Sequence, residues 1–256
     1  MFLGTLIVIF PLEILANASG DSAVKFLIEN YLSFIGIWIA LLIFMNSWEK
    51  PLLKNFGTDF KGNTLKNFAI GLLMGFGMNL ICALVAMLNK DIILSFDGID
   101  IVYLLLAFVV VLIQSGAEEA LCRGYVFQAL RERYGYLFAA IVNSAIFAAM
   151  HLGNPGITWI SVAEIFVIGY LFSMMMEHVQ SLWMPIAVHT AWNYTQNIIL
   201  GLPNSGLVSE KAIFRLEGAK ESILYSFKFG IEGGIPSVII CVLACVAIYV
   251  IYKKKK

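Results

Sequence analysis

Three apolar stretches of the sequence, each long enough to cross a membrane, contain polar residues of the types that catalyse proton transfer. They are Glu118, Glu119 and Arg123 in one stretch, His151 at the end of the next, and His189 with Asn193 in a third. Ionisable side chains are costly inside a bilayer, so they are rare there and usually functional. A carboxylate and two imidazoles in one pocket would form a set for general acid–base catalysis.

The spacing of the two carboxylates predicts different tasks for them. Glu119 and Arg123 are four residues apart, so they share one face of a helix and can form an ion pair. Glu118 lies one step round the helix, which leaves it free to accept a proton as a general base. The ion pair also has a purely structural explanation, because paired charges are easier to insert into a membrane.

His151 and His189 each belong to a stripe of residues that are four apart and so share one face of a helix. The stripes are Asn143, Phe147 and His151 on one helix, and His189, Asn193 and Asn197 on another. Such stripes can line a pocket, but polar groups at this spacing also hold membrane helices together. His151 precedes a Gly-Asn-Pro-Gly break at 153–156, so bonding of carbonyl groups at a helix end is an alternative role for it.

Helix geometry predicts that these groups share a depth. The turn at Arg131–Gly135 separates two apolar stretches that should form an antiparallel helix pair, and Glu118 and His151 are nearly equidistant from it. At 1.5 Å per residue both stand about 20 Å from that turn, and His189 stands about 15 Å from the turn near Ser181. We therefore expect one buried pocket that opens toward the cytoplasmic half of the membrane.

The composition indicates that the elements carrying these residues lie in a membrane. Hydrophobic residues make up 60% and charged residues 13% of the chain, whereas soluble domains have about 45–50% and about 25%. Lysine plus arginine equals aspartate plus glutamate, at 17 each, and no basic stripe occurs, so nucleic acid is excluded as a partner. Lipid permits only helices or closed barrels, and the apolar runs lack the alternation of barrel strands. The predicted fold class is all-α, a polytopic membrane helical bundle.

Apolar runs of about 20 residues, the length that crosses the hydrocarbon core, predict about eight transmembrane helices. The predicted spans are Met1–Ala18, Tyr31–Trp48, Phe68–Leu88, Ile101–Ala117, the stretch from Tyr134 to the break at 153–156, Thr158–Met176, Ser181–Leu200 and Gly233–Tyr252. The first span either is retained or is removed as a signal peptide at the small residues 16–18, and the lack of preceding Lys or Arg favours retention.

The basic residues predict the orientation of the chain. Three groups of basic residues fall at helix ends that the eight predicted spans place on the same side of the membrane. They are the lysines in the connection 49–66, the pair Arg131 and Arg133, and the lysines at 253–256. Because Lys and Arg in short connections favour the cytoplasm, we expect a multi-pass protein of the bacterial cell membrane with both termini in the cytoplasm.

The three groups of residues resemble the motifs of a known family. Glu118-Glu119-x-x-x-Arg123, Phe147-x-x-x-His151 and His189-x-x-x-Asn193 are similar to those of the CPBP intramembrane proteases, which include the CAAX prenyl endopeptidases of the Rce type and the bacterial Abi proteins. The resemblance covers residues 101–200, which it identifies as a catalytic core within a single integral membrane domain spanning 1–256. It implies an intramembrane endopeptidase that cleaves near the end of a peptide or protein tail.

The resemblance also implies roles for the individual residues. Glu118 is the general base that activates a water, His151 holds and polarises that water, His189 and Asn193 stabilise the oxyanion, and Glu119 and Arg123 support the site. The favoured mechanism uses no metal or other cofactor. The alternative is a zinc site with Glu118, His151 and His189 as ligands, a legitimate catalytic set that here lacks a His-Glu-x-x-His motif.

Two questions remain open at the level of the sequence. A non-catalytic immunity or scaffold protein of the membrane could bind a partner in the same polar cavity, so the enzyme has an alternative from another class. Glu164, in the sixth predicted span, has no cationic partner nearby in the sequence. It either reaches the membrane surface or lines the cavity. The expected partners are a peptide or protein-tail substrate and the lipid bilayer.

Overall fold

Helices form nearly all of the regular structure in the computed structural model of the chain, which describes residues 11–47, 57 and 59–253. In chain order the helices are α1 (Ser22–Asn30), α2 (Ile35–Ser47), α3 (Leu65–Leu88), α4 (Ile101–Glu119), α5 (Gln128–Tyr134), α6 (Tyr136–Met150), α7 (Trp159–Met174), α8 (Trp183–Asn193) and α9 (Ile235–Lys253). Residues 11–18 are also helical. The predicted helical fold class is confirmed.

Within the part of the chain that the structure describes, five helical stretches are long and apolar enough to cross a membrane. They are Ser22–Phe44, Leu65–Leu88, Ile101–Tyr134, Trp159–Val179 and Ile235–Tyr252. The predicted multi-pass membrane bundle is therefore confirmed, whereas the count of eight spans is not. Helix α6 is apolar but shorter, α8 has only 11 residues, and residues 1–10 of the first predicted span lie outside the described part of the chain.

The second span begins earlier than the sequence predicted, at Ser22. Asp21 caps α1 by accepting hydrogen bonds from two backbone N–H groups of its first turn. Lys25 and Glu29, which we placed in a connection, lie in this helix with their charged atoms 3.7 Å apart. An N-terminal cap and an ion pair between residues four apart both stabilise a helix. Because these residues are charged, a search for uncharged apolar runs does not include them in the span.

A continuous helical rod connects Glu118 with the predicted turn. Helix α4 passes into the π-helical segment Ala120–Phe127 and then into α5. Gly135 ends the rod with a φ of 80°, in the left-handed region that favours glycine, and α6 begins at the next residue. The predicted antiparallel turn is confirmed. Helix α7 follows the break at 153–156, and Thr158 caps it.

A two-stranded antiparallel sheet lies outside the helices and was not predicted. Strand β1 (Ile92–Phe96) pairs with β2 (Phe214–Ala219), with Phe96 opposite Phe214. Each strand is short, and the two partners are far apart in sequence, so neither carries a local signal that identifies the pairing. The sheet ties the connection after α3 to the long segment between α8 and α9, which we read as plain connections.

Gly71 and Gly75 are four residues apart on α3 and allow α8 to approach closely. A Cβ atom at Gly71 would lie 2.8 Å from the Cβ atom of Ala187, and one at Gly75 would lie 3.0 Å from that of Ala191. Small residues at this spacing are typical of close contacts between membrane helices. The contact fixes the position of α8 and thereby that of His189.

Replacing Gly75 by leucine is expected to destabilise the bundle, because the added side chain meets the backbone and the side chains of α8. Overpacking of this kind costs about 1–3 kcal/mol. Gly77→Leu is the matched control on the same helix, since a Cβ atom at Gly77 meets no atom within 4 Å. SDS titration of helicity measures the free energy of unfolding. An equal loss in both variants would contradict the close approach of α3 and α8.

Candidate active site

Glu118 is buried near the end of α4, with one carboxylate oxygen held and the other free. Its Oε1 accepts a hydrogen bond from Gln114 Nε2 at 2.9 Å. Its Oε2 has no hydrogen-bond partner within the described part of the chain and lies 3.8 Å from His189 Nε2. The side chain is therefore oriented by one oxygen and has the other available for a substrate or a water.

Glu119 joins the predicted ion pair to the histidine of α8. Its Oε1 lies 3.1 Å from Arg123 Nη1, with both side chains fully buried, and 3.0 Å from His189 Nδ1. Arg123 also donates to the Gly169 carbonyl at 3.1 Å and lies 4.2 Å from the ring centroid of Phe147. The buried pair thus fixes one nitrogen of His189 and turns the other toward Glu118.

Aromatic rings and a backbone carbonyl fix the two imidazoles. The ring of His189 stacks on Phe172, with centroids 5.7 Å apart. His151, directly after α6, places Nδ1 2.8 Å from the Phe147 carbonyl oxygen. Because a carbonyl only accepts, Nδ1 of His151 is the donor, and Nε2 of a neutral ring carries the lone pair. That nitrogen is suited to accept a hydrogen bond from water.

A chain of side-chain amides connects Asn193 to both ends of the site. Asn193 Nδ2 donates to Gln114 Oε1 at 3.2 Å, and Asn193 Oδ1 accepts from Asn204 Nδ2 at 3.2 Å. Asn204 Nδ2 also donates to Glu232 Oε1 at 3.0 Å. Since a carboxylate only accepts, Glu232 dictates the orientation of Asn204, and each amide in turn orients the next as far as Glu118.

Glu232 precedes α9 and holds the segment 201–232 against the site. Its Oε1 also accepts from Trp192 Nε1 at 2.9 Å, and its Oε2 accepts from the backbone N–H and the hydroxyl of Ser205 at 2.8 and 3.0 Å. Burial raises the pKa of the Glu232 carboxyl, while the hydrogen bonds from Ser205 and Trp192 act in the opposite direction. Four donors satisfy both oxygens of this buried carboxylate.

A cavity of about 230 Å³ brings the predicted residues together. Glu118, His151, His189 and Asn193 all line it. Glu119 and Arg123 are fully buried behind this wall. Gln114 was not predicted, although its spacing of four from Glu118 in an apolar run was a usable signal. Asn204 and Glu232 were not predicted either, and no local signal in the sequence identifies them.

The cavity opens in the direction opposite to our expectation. Helix α6 has 15 residues, about 22 Å at 1.5 Å per residue, so His151 lies far from the turn at Gly135. The cavity continues from His151 to Asn154 and Leu207. Asn154 follows the end of α6, and Leu207 follows the end of the helical stretch that starts with α8. The expected opening on the Gly135 side is therefore wrong, because residue counting gives depth and not the direction of the opening.

Glu164 lines a second, smaller cavity and does not reach the membrane surface. It is buried in α7, and the Cys241 thiol donates to its Oε1 at 3.6 Å. This cavity of about 30 Å³ is shared with His151, His189 and Glu232. It has room for a single water molecule. The carboxylate thus lies behind the candidate site rather than in the main cavity.

The zinc alternative requires several ligand side chains that can share one ion. Across residues 11–47, 57 and 59–253, no group of three or more His, Cys, Asp or Glu side chains is arranged to hold a metal ion. Glu118, His151 and His189, the residues of this alternative, all line the cavity described above.

The central part of the chain matches a known protein family. Residues 100–195 match the sequence profile of the family described as "Type II CAAX prenyl endopeptidase Rce1-like". The match covers less than half of the chain; it confirms the resemblance of this segment to the CPBP proteases and indicates an intramembrane protease of the CAAX type. A comparison with curated proteins finds no significant match.

Proposed function

We propose that this chain, a multi-pass membrane protein with an Rce1-like segment, hydrolyses peptide bonds with a water activated by Glu118 and without a metal. The observation that carries the proposal is the free Oε2 of Glu118. It belongs to a buried carboxylate that shares one cavity with two histidines and an asparagine. A general base needs this combination of a fixed orientation and an available oxygen.

In the first step the water is positioned and deprotonated. His151 Nε2 accepts one hydrogen bond from the water, and Glu118 Oε2 accepts the other. As the water oxygen attacks the carbonyl carbon of the substrate, its proton moves to Glu118. The carbonyl oxygen becomes an oxyanion in the tetrahedral intermediate, and the protein must stabilise that developing charge.

The oxyanion is stabilised by donors on α8. Asn193 Nδ2 uses one N–H bond on Gln114, which leaves the second for the oxyanion. His189 donates from Nε2 when both ring nitrogens are protonated. In that state the buried charges of Glu118, Glu119, Arg123 and His189 sum to zero, which avoids an uncompensated charge in a medium of low dielectric constant.

In the last step the proton on Glu118 moves to the nitrogen of the scissile bond. The C–N bond then breaks, and the products are a carboxylic acid and an amine. Glu118 returns to its starting carboxylate, so it acts first as a base and then as an acid. One water is consumed for each bond cleaved, and no covalent enzyme intermediate forms.

The lining of the cavity suits an extended polypeptide. Side-chain amides of Asn30, Gln114, Asn154 and Asn204 face it, and each amide group both donates and accepts hydrogen bonds as a peptide backbone does. The family description names CAAX prenyl endopeptidases. We therefore propose that the substrate is a peptide or protein tail cleaved near its end.

Purified protein in detergent tests the proposal with quenched fluorogenic peptides that end in Cys-aliphatic-aliphatic-X, each made with and without a farnesyl thioether. In water labelled with ¹⁸O we expect cleavage that places one ¹⁸O atom in the new carboxyl group, as measured by mass spectrometry. Turnover is expected to be unchanged by EDTA or phenanthroline, because no step uses a metal.

The other outcomes assign the protein to the alternatives. Turnover that is lost with chelator and restored by zinc would establish the zinc-dependent protease. Absence of cleavage for every peptide would reject the peptidase and leave the immunity or scaffold role. Cleavage of only the farnesylated peptides would assign the substrate class, and equal cleavage of both forms would show that the lipid is not recognised.

A further inference from the structure

Glu232 lies outside the segment 100–195 that matches the family, yet it contacts the candidate site. Its side chain is buried, and none of the ion pairs among the described residues includes it. A buried carboxylate without a cation is costly unless hydrogen bonds satisfy it. The donors that satisfy Glu232 come from Trp192 on α8 and from Asn204 and Ser205 in the segment that follows. The carboxylate therefore joins this segment to the site.

The backbone on either side of Glu232 is packed too closely to admit side chains. Gly230 has a φ of 81°, and a Cβ atom there would collide with the carbonyl oxygen of Pro203. A Cβ atom at Gly233 would collide with the side chain of Ser226. Glycine permits both the left-handed conformation and such close approaches. The carboxylate of Glu232 thus projects from a turn whose position is fixed by its own packing.

A tight turn in the wall of the larger cavity is held by Glu232. Asn204 and Leu207 exchange backbone hydrogen bonds of 2.8 and 2.9 Å. Between them, Ser205 and Gly206 have φ values of 49° and 87°. A residue with a side chain is uncommon in the left-handed region and costs energy there. The backbone N–H and the hydroxyl of Ser205 both donate to Glu232 Oε2, and these bonds stabilise the turn.

The carboxylate of Glu232 also determines which way the amide of Asn204 points. Asn204 Nδ2 donates to Glu232 Oε1 at 3.0 Å and to Asn193 Oδ1 at 3.2 Å. If this amide were turned over, its oxygen would face two other oxygens, and neither could donate to it. Asn193 is therefore held with its oxygen toward Asn204 and its Nδ2 toward Gln114 and the cavity.

We propose that Glu232 is a positioning residue for the hydrolysis, which fixes the direction of the hydrogen bonds through Asn204 so that Asn193 presents an N–H group to the oxyanion. A flipped Asn193 would instead place its oxygen beside the developing negative charge. Glu232 lines the smaller cavity and not the larger one, so it acts through these two amides. This role rests on the proposed function, because the oxyanion forms only during hydrolysis.

Glu232→Gln tests the role in purified full-length protein with the quenched peptides. The substitution keeps the size of the side chain but replaces one accepting oxygen with an NH₂ group, so the donors on that side lose their acceptor. We expect kcat to fall about 10²–10³-fold, the effect of losing one preorganised donor, with little change in KM.

Glu221→Gln is the matched control in the same segment. The carboxylate of Glu221 accepts a hydrogen bond from the backbone N–H of Phe227 at 2.6 Å, and it does not line the larger cavity. We expect kcat at the wild-type value in this variant. Equal losses of kcat in Glu221→Gln and Glu232→Gln would mean that any loosening of the segment lowers turnover, and this result would overturn the proposal.

Asn204→Asp tests the same link with Glu232 in place, including the case in which Glu232→Gln fails to accumulate. Beside Glu232 the new carboxyl group binds a proton and donates it to the carboxylate, so its other oxygen faces Asn193 and turns that amide over. We expect the same fall in kcat. The double variant should lose no more than either single variant, because both substitutions act through Asn193. Losses that multiply, or a wild-type kcat in Asn204→Asp, would overturn the proposal.

Inhibitor binding separates the oxyanion donor from general damage to the site. A peptide phosphonamidate carries an anionic oxygen where the oxyanion forms, whereas the matching ketomethylene peptide resembles the uncleaved substrate. We expect Glu232→Gln to weaken phosphonamidate binding by about the factor lost in kcat/KM and to leave ketomethylene binding unchanged. Equal weakening of both would overturn the proposal. Wild-type protein that cleaves none of the peptides would reject the proposed function and this role with it, whereas wild-type cleavage with an unchanged kcat in Glu232→Gln would overturn this role alone.

Discussion

Replacing Glu118 by glutamine is expected to lower kcat by about 10²–10⁴-fold, the contribution of a general base. Glutamine is nearly the same size, and its amide oxygen can still accept the hydrogen bond from Gln114, so the fold should persist. It cannot take a proton from water. Initial rates of peptide cleavage and the free energy of unfolding, measured on the same preparation, separate the two effects.

Glu164→Gln is the matched control for this substitution. Glu164 is also a buried carboxylate in a membrane helix, with 2% of its surface exposed against 6% for Glu118. Its one described hydrogen bond comes from the Cys241 thiol. Turnover close to the wild-type value is expected. Equal losses in both variants would point to general damage from removing a buried carboxylate and would contradict the role of Glu118 as the base.

Glu118→Gln also distinguishes an enzyme from a scaffold in cells. If the protein acts by binding a partner in its cavity, Glu118→Gln should complement a deletion phenotype fully, because the shape of the cavity hardly changes. Complementation is expected to fail if hydrolysis is the function. This comparison needs no knowledge of the natural substrate.

The parts of the site that lie on single helices could be predicted from the sequence. The pairing of Glu119 with Arg123 follows from a spacing of four residues, and the common depth of Glu118 and His151 follows from 1.5 Å per residue on either side of the Gly135 turn. These predictions depend only on the geometry of a helix and on the number of residues between the groups, which can be counted in the sequence. Apolar length likewise predicted the membrane bundle.

The contacts between distant segments were not predictable in this way. Glu232 and Asn204 come from the segment 201–232, which lacks helical periodicity, and they reach Asn193 only through tertiary folding. The bond between Glu119 and His189 has the same origin, since no sequence spacing fixes the rotation of α8 about its axis. The opening of the cavity depends on the loops at the helix ends, and counting residues along helices does not describe these loops.

The largest effect on stability is expected from Glu119→Leu, because it leaves the guanidinium of Arg123 fully buried without a carboxylate. Breaking a buried pair by removing one partner costs about 3–5 kcal/mol. The double variant Glu119→Leu with Arg123→Met removes the remaining charge as well. Replacement of a buried pair by apolar residues of similar size is often neutral, so the free energy of unfolding should return close to the wild-type value.

Activity is expected to stay low in this double variant even though its stability recovers. The difference between the two recoveries tests whether the buried pair serves catalysis or only membrane insertion. Without Glu119, the hydrogen bond that holds Nδ1 of His189 is lost, so the donor facing the oxyanion is no longer fixed in position. Loss of one preorganised donor lowers kcat by about 10²–10³-fold, with little change in KM. If stability and kcat both recover, the pair serves insertion alone, and His189 is oriented by its stacking on Phe172. If stability recovers while kcat does not, the buried pair positions the catalytic imidazole.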